Sequence, residues 1–125
     1  MNEKFIQNLD KLPADVRRQF ALLANQYGEK KKQDTIQNDF LSFVKHVWPD
    51  FIEGSHHKRI ADKFNKLASG EIKRLIINMP PRHTKSEFGS YLLPAWMVGK
   101  NPKLKIIQST NTTELSVRFG RKAKA

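Results

Sequence analysis

The sequence predicts an α/β fold in which helices come first and a β-loop-α-β-α order follows. Two observations carry this expectation. Up to residue 70, apolar side chains recur at spacings of three and four, the period of a helix face. Beyond it, two short runs rich in apolar residues, Arg74-Leu75-Ile76-Ile77-Asn78-Met79 and Lys105-Ile106-Ile107-Gln108-Ser109, flank a segment that reads as helix. Short, nearly continuous apolar runs suit strands buried on both faces, as in a parallel sheet.

In chain order, residues 15–27 read as a helix with Val16, Phe20, Leu23 and Tyr27 on one face. Pro13 falls near its first turn, where proline is tolerated, and Gly28 ends it. Glu29-Lys30-Lys31-Lys32-Gln33-Asp34 reads as a polar linker. It separates an N-terminal helical segment, residues 1–34, from residues 35–125. A second helix is expected over 36–47, striped by Phe40, Phe43, Val44 and Val47 and stopped by Pro49. A third follows Ser55 as N-cap, buries Ile60, Phe64 and Leu67, and closes at Gly70. The first strand, 74–79, ends at Pro80-Pro81. A helix over 85–98 leads through Asn101-Pro102 to the second strand, 105–109. Asn111, with Glu114 three residues on, opens a last helix that continues over 115–122.

A length of 125 residues is one domain or part of a larger one. Hydrophobic residues at 38% suffice for a modest core. The absence of cysteine excludes a disulfide framework and a thiolate zinc site. His56 and His57 are adjacent, so a helix cannot aim both at one ion, and a histidine zinc site is rejected as well. No apolar run approaches the roughly 20 residues that span a bilayer. Met1-Asn2-Glu3-Lys4 leads into no apolar core of a secretory signal. The formal charge of +11 is uneven: residues 1–70 hold 12 basic and 9 acidic side chains, residues 71–125 hold 11 and 3. That surplus favours a polyanionic partner: nucleic acid, nucleotide phosphate or an anionic membrane surface.

The segment with chemistry in it is Met79-Pro80-Pro81-Arg82-His83-Thr84-Lys85-Ser86, between an expected strand and a helix start. A phosphate-binding loop occupies that position, because unpaired N–H groups and the helix dipole favour an anion there. Lys85 adds a full charge able to reach the β- and γ-phosphates, and the Ser86 hydroxyl at the next position suits Mg²⁺. The pattern G-x-x-x-x-G-K-[ST] would place glycine at 79 and 84, where this chain has Met79 and Thr84. Threonine lacks glycine's freedom to take positive φ, which predicts a stiffer loop and weak nucleotide binding.

Read whole, Gly70-Glu71-Ile72-Lys73-Arg74-Leu75-Ile76-Ile77-Asn78-Met79-Pro80-Pro81-Arg82-His83-Thr84-Lys85-Ser86-Glu87 resembles the start of the ATPase domain of tailed-phage terminase large subunits, the DNA-packaging motors. In that family a strand leads into Pro-Pro-Arg-His-Gly-Lys-Ser. The likeness extends to Phe51-Ile52-x-Gly54-x-His56-His57, to Pro94-Ala95-Trp96-x-x-Gly99-x-x-Pro102 and to Leu115-x-x-x-Phe119-Gly120-Arg121, covering residues 36–125.

The resemblance implies a RecA-like P-loop core, ATP and Mg²⁺ as cofactors, and a motor that drives viral DNA into the procapsid. By position, Lys85 and Ser86 match the Walker A lysine and hydroxyl, with Pro81, Arg82, His83 and Thr84 in the same nucleotide-binding loop. Arg82 is read either as a cis arginine finger on the γ-phosphate or as a partner of a nearby carbonyl or carboxylate. His57 matches the upstream residue that contacts adenine in helicase-like motors, or else caps a helix or is partly buried. His83 either touches phosphate or faces solvent. The implied partners are double-stranded DNA, the remaining part of the large subunit, the small terminase subunit and the portal protein. The implied place is the host cytoplasm, transiently at the procapsid portal, with no membrane.

Such a motor also needs a strand ending in Asp-Glu to hold Mg²⁺ and activate water, and a nuclease domain with acidic metal ligands. Neither pattern follows Ser109, so the chain reads as the N-terminal part of a motor and as no hydrolase alone. Two other classes remain: a small basic nucleic-acid-binding protein that uses Lys100, Lys103, Lys105, Arg118, Arg121, Lys122 and Lys124, and a fragment of another P-loop motor such as a helicase.

Overall fold

The structure, a computed structural model, describes residues 13–124, with side chains through residue 123. The stretch read for a secretory signal and the side chain of Lys124 lie outside the described residues. The chain divides into two units between Asp34 and Thr35.

The first helix, α1, is Ala14–Asn38. It runs through Gly28 and through the charged stretch expected to be a linker. A single glycine costs a helix only about 1 kcal/mol, and the Glu, Lys and Gln residues that follow are good helix formers. Val16, Phe20, Leu23 and Tyr27, the residues that share one face, stay exposed.

The break comes instead at Asp39, whose backbone is extended. Asp39 caps α2, Phe40–Val47, by accepting the Ser42 backbone N–H (2.8 Å) and the Ser42 hydroxyl (2.7 Å). Burial raises the Asp39 pKa, but these bonds and a third from Asn65 Nδ2 (2.8 Å) outweigh it and hold the carboxyl below its ordinary 3.8. Asn65 returns the contact through Oδ1, which accepts the Phe40 N–H at 2.9 Å. Asn65 lies on α3, Ser55–Ser69, so this exchange fixes α2 against α3. Glu53 adds ion pairs to Lys45 of α2 and Lys58 of α3. Gly54, not Ser55, is the N-cap of α3, and Gly70 ends it in the left-handed conformation (φ 80°).

A second helical stretch comprises α4, Lys85–Glu87, a π turn, Phe88–Leu92, and α5, Leu93–Lys100. Pro94 explains the π turn. It has no N–H to give the Ser90 carbonyl, and its ring would crowd that carbonyl. The ladder widens so that Leu93 N–H reaches Phe88 O. Gln108 Nε2 then donates to Ser90 O at 3.0 Å. The last helix, α6, is Thr113–Lys124.

The core lies where α2, α3, the π turn and α5 meet. It consists of Phe40, Val44, Ile60, Ala61, Phe64, Phe88, Leu92 and Trp96. Phe40 is its hub, meeting Phe64, Phe88 and Trp96 edge-on at centroid separations of 5.0, 5.4 and 5.5 Å. Trp96 Nε1 donates to the Ile36 carbonyl at 3.1 Å, so the indole brings no unpaired donor into the core.

The α/β expectation fails. Among the described residues there is no strand and no sheet; every regular element is helical, and no RecA-like core is formed. Segments 74–79 and 105–109 are irregular and make no ladder. The apolar run that reads as a doubly buried strand is covered on one side only: Leu75, Ile77 and Met79 pack on the core, while Ile76 is 86% exposed. Ile107 is 97% exposed. Helix packing supplies cover for alternate residues, but no neighbouring segment among the described residues supplies the backbone partners a strand requires.

Candidate phosphate-binding loop

The loop between Met79 and Lys85 is shaped by two residues at positive φ, Arg82 (65°) and Thr84 (56°). Thr84 is in the left-handed region and is followed by helical Lys85. Its carbonyl takes the first helical bond, from Phe88 N–H at 2.9 Å. A β-branched residue in this region is strained by about 1–2 kcal/mol. Thr84 thus holds a conformation that glycine takes more freely, and the reason lies in what the hydroxyl touches.

Thr84 Oγ1 lies 2.7 Å from His57 Nε2 and 2.7 Å from the His83 carbonyl. The opposite ring nitrogen, His57 Nδ1, is 2.9 Å from the Gly54 N–H. An N–H can only donate, so Nδ1 accepts and the neutral ring carries its proton on Nε2. The bonds then run in one direction: Gly54 N–H to His57 Nδ1, His57 Nε2–H to Thr84 Oγ1, and Thr84 O–H to His83 O. His57 N–H in turn donates to the Gly54 carbonyl at 3.1 Å, which makes position 57 the reciprocal third residue of a helix cap. Gly54 suits this approach, because a Cβ there would lie 2.8 Å from His56 Cε1 and 3.4 Å from His57 Nδ1.

His57 is buried, with its ring edge-on to Phe51 at 4.8 Å and tilted on Phe88 at 5.1 Å. Burial pushes its pKa below the ordinary 6.5; the neighbouring His56 and His83 add to this and Glu53 opposes it. The unfolded chain therefore binds a proton before the folded one does. His57's contribution to stability is complete above pH 6.5 and is lost as pH falls from there through the depressed folded value. The loss is at most about 1.4 kcal/mol per pH unit. Chemical denaturation from pH 7.5 to 5 should show this decline, and His57→Gln, which does not titrate, should remove it.

The remaining loop residues face outward. Pro81, Arg82, His83, Lys85 and Ser86 are exposed. Lys85 Nζ rests 3.4 Å from the Met79 carbonyl, across the mouth of the loop. His83 Nδ1 is 2.9 Å from Pro81 O. Arg82 makes no hydrogen bond or ion pair with the described residues. Glu87 is bound to Lys122 of α6 (3.1 Å). Between Pro80 and Glu87 lies a hollow of about 220 Å³, lined by Arg82, Thr84, Lys85 and Ser86. Ligand pockets typically measure roughly 300–1,000 Å³, so this space suits a phosphate group rather than an enclosed nucleotide. Larger troughs of about 500, 500 and 360 Å³ are lined by segment 104–109, by α6 and by segment 75–79.

The loop fits an anion on chemical grounds. A left-handed residue followed by a helical one makes a concavity of backbone N–H groups, and two exposed cations border it. It does not supply a metal site of its own: among the described residues no three His, Cys, Asp or Glu are grouped to hold an ion. Sequence reasoning missed the seat of Thr84 on His57. The available signal was a histidine three residues after Gly54, at the helix-capping position. The chain matches no protein-family model, and no curated protein or solved structure is found to be similar to it.

Proposed function

We propose that residues 79–86 bind the polyphosphate of ATP, in the N-terminal part of a DNA-packaging ATPase of the terminase large-subunit kind. The observation that carries this reading is Thr84 at φ 56°, held left-handed where phosphate-binding loops of this pattern use glycine, immediately before Lys85-Ser86. The Pro80-Pro81-Arg82-His83 approach supports the family assignment.

In this reading Lys85 leaves the Met79 carbonyl for phosphate oxygens, and Arg82 neutralises the outermost phosphate. Ser86 offers its hydroxyl to Mg²⁺ that arrives with the nucleotide. Double-stranded DNA, the rest of the large subunit, the small subunit and the portal are the partners, in the host cytoplasm. The carboxylate that lines the hollow, Glu87, is engaged by Lys122, so in this reading the chain binds ATP without activating water.

The test is calorimetric titration with Mg-ATP. A hydrogen bond to a charged group contributes about 1.5–3 kcal/mol, and Lys85 is exposed, so Lys85→Ala should weaken binding by about tenfold. Equal affinity in both proteins would contradict the assignment, as would brisk hydrolysis by the chain alone.

A second reading, a nucleic-acid-binding protein without nucleotide chemistry, is favoured by the exposed Arg118 and Arg121 of α6 together with exposed Lys100, Lys103 and Lys105. It predicts DNA affinity that falls steeply with salt and ignores both ATP and Lys85→Ala.

A further inference from the structure

We infer that His57 is a positioning residue for the phosphate loop: through Thr84 it holds the loop in the shape that receives an anion. The inference rests on the proposed phosphate site and deepens it. It also gives His57 a role other than contact with a base, since both ring nitrogens are bonded within the protein.

Three features of the geometry support it. The residue at the turn into α4 is β-branched and left-handed, a conformation that its own backbone disfavours. Its hydroxyl is tied to the body of the fold by a bond of 2.7 Å to a buried ring. That ring is fixed from its other side by the backbone at the start of α3 and is packed against Phe51 and Phe88. Its donor is therefore aimed before any ligand arrives. Without the bond, Thr84 relaxes toward negative φ and only a fraction of molecules presents the receptive loop. Apparent affinity drops by that fraction, and one neutral hydrogen bond corresponds to about fivefold.

Glycine reaches the left-handed region unaided, which yields a decisive cycle. The probe is inorganic tripolyphosphate, which has no base to contact. His57→Phe keeps an aromatic ring against Phe51 and Phe88 and deletes both nitrogens. His57→Gln restores an acceptor for Gly54 and a donor for Thr84. The expected result is about fivefold weaker binding for His57→Phe, recovery in His57→Gln, and no effect of His57→Phe once Thr84→Gly is present. Thr84 φ is read independently, without ligand, from the strong intraresidue amide–Hα NOE of a positive-φ residue. That NOE should be present in the wild type and His57→Gln and lost in His57→Phe.

A His57→Phe deficit that persists on the Thr84→Gly background overturns the inference, and so does a folded His57→Phe protein that keeps the Thr84 NOE. If His57→Phe does not fold, Thr84→Val, which removes only the hydroxyl, should lose the NOE; retention overturns the inference. If the wild type binds no tripolyphosphate, the proposed function fails. The NOE in these variants still decides whether His57 holds Thr84.

Discussion

Phe40→Ala should lower the stability of the helical unit by about 3–5 kcal/mol, the range for deleting a buried phenyl ring. The upper part of that range is expected. Phe40 is fully buried, and three other aromatic rings, from three different elements, pack edge-on against it. Removing it leaves Phe64, Phe88 and Trp96 around a void that rigid helices cannot close. Small domains are stable by only about 5–15 kcal/mol in total, so much of the margin disappears. Urea unfolding followed by Trp fluorescence should show the midpoint collapse toward zero denaturant. Phe43→Ala, at the half-buried edge, should cost clearly less. Similar losses at both positions would mean that the core is not centred on Phe40.

Asp39→Ala should cost about 2 kcal/mol, because the cap of α2 alone is worth about 0.5–2 kcal/mol and a second element depends on the same carboxylate. Asn65 Nδ2 loses its partner, and the exchange that fixes α3 to α2 is halved. Asp39→Asn keeps one oxygen for the Ser42 cap but turns its NH2 toward Asn65 Nδ2, so it should recover the capping part of the loss and not the tie to α3. The folded carboxyl is held below 3.8, so this contribution is complete above the unfolded value and disappears as pH falls through the depressed folded one. Acid titration of stability therefore separates it from the His57 effect, which begins near 6.5.

Much of the helical part is legible because its signals are local. Of the stripe Phe40, Phe43, Val44 and Val47, Phe40 and Val44 are buried, Phe43 is half-buried and Val47 is exposed; of Ile60, Phe64 and Leu67, the first two are buried and Leu67 is half-buried. Other local signals mislead. Gly28 is a stop only when the residues after it are poor helix formers, and Glu29 to Lys32 are not. Strands are a different matter. A strand is defined by partners elsewhere in the chain, and Leu75, Ile76 and Ile77 can announce an extended, apolar segment without announcing a neighbour. The periodicity of 2 in their burial agrees with an extended chain lying over helices, and the exposed Ile76 marks the side that the described residues leave uncovered.

The loop shows the same division. Its place before a helix, its Lys85 and its Ser86 are readable in sequence. The left-handed Thr84 is not, because it depends on a side chain 27 positions away. Propensity alone argues that threonine avoids positive φ, and a hydrogen bond from a buried ring outweighs propensity here. A departure from a glycine pattern can therefore be offset by a residue outside the pattern, which a search confined to the motif overlooks.

The most direct measurement is an amide chemical-shift map of the chain during titration with Mg-ATP. The account predicts that shifts concentrate at residues 82–86 and diminish in Lys85→Ala, with α6 largely unmoved. Shifts centred on Thr113–Lys124 and unchanged by Lys85→Ala, or none in residues 79–87, would contradict it.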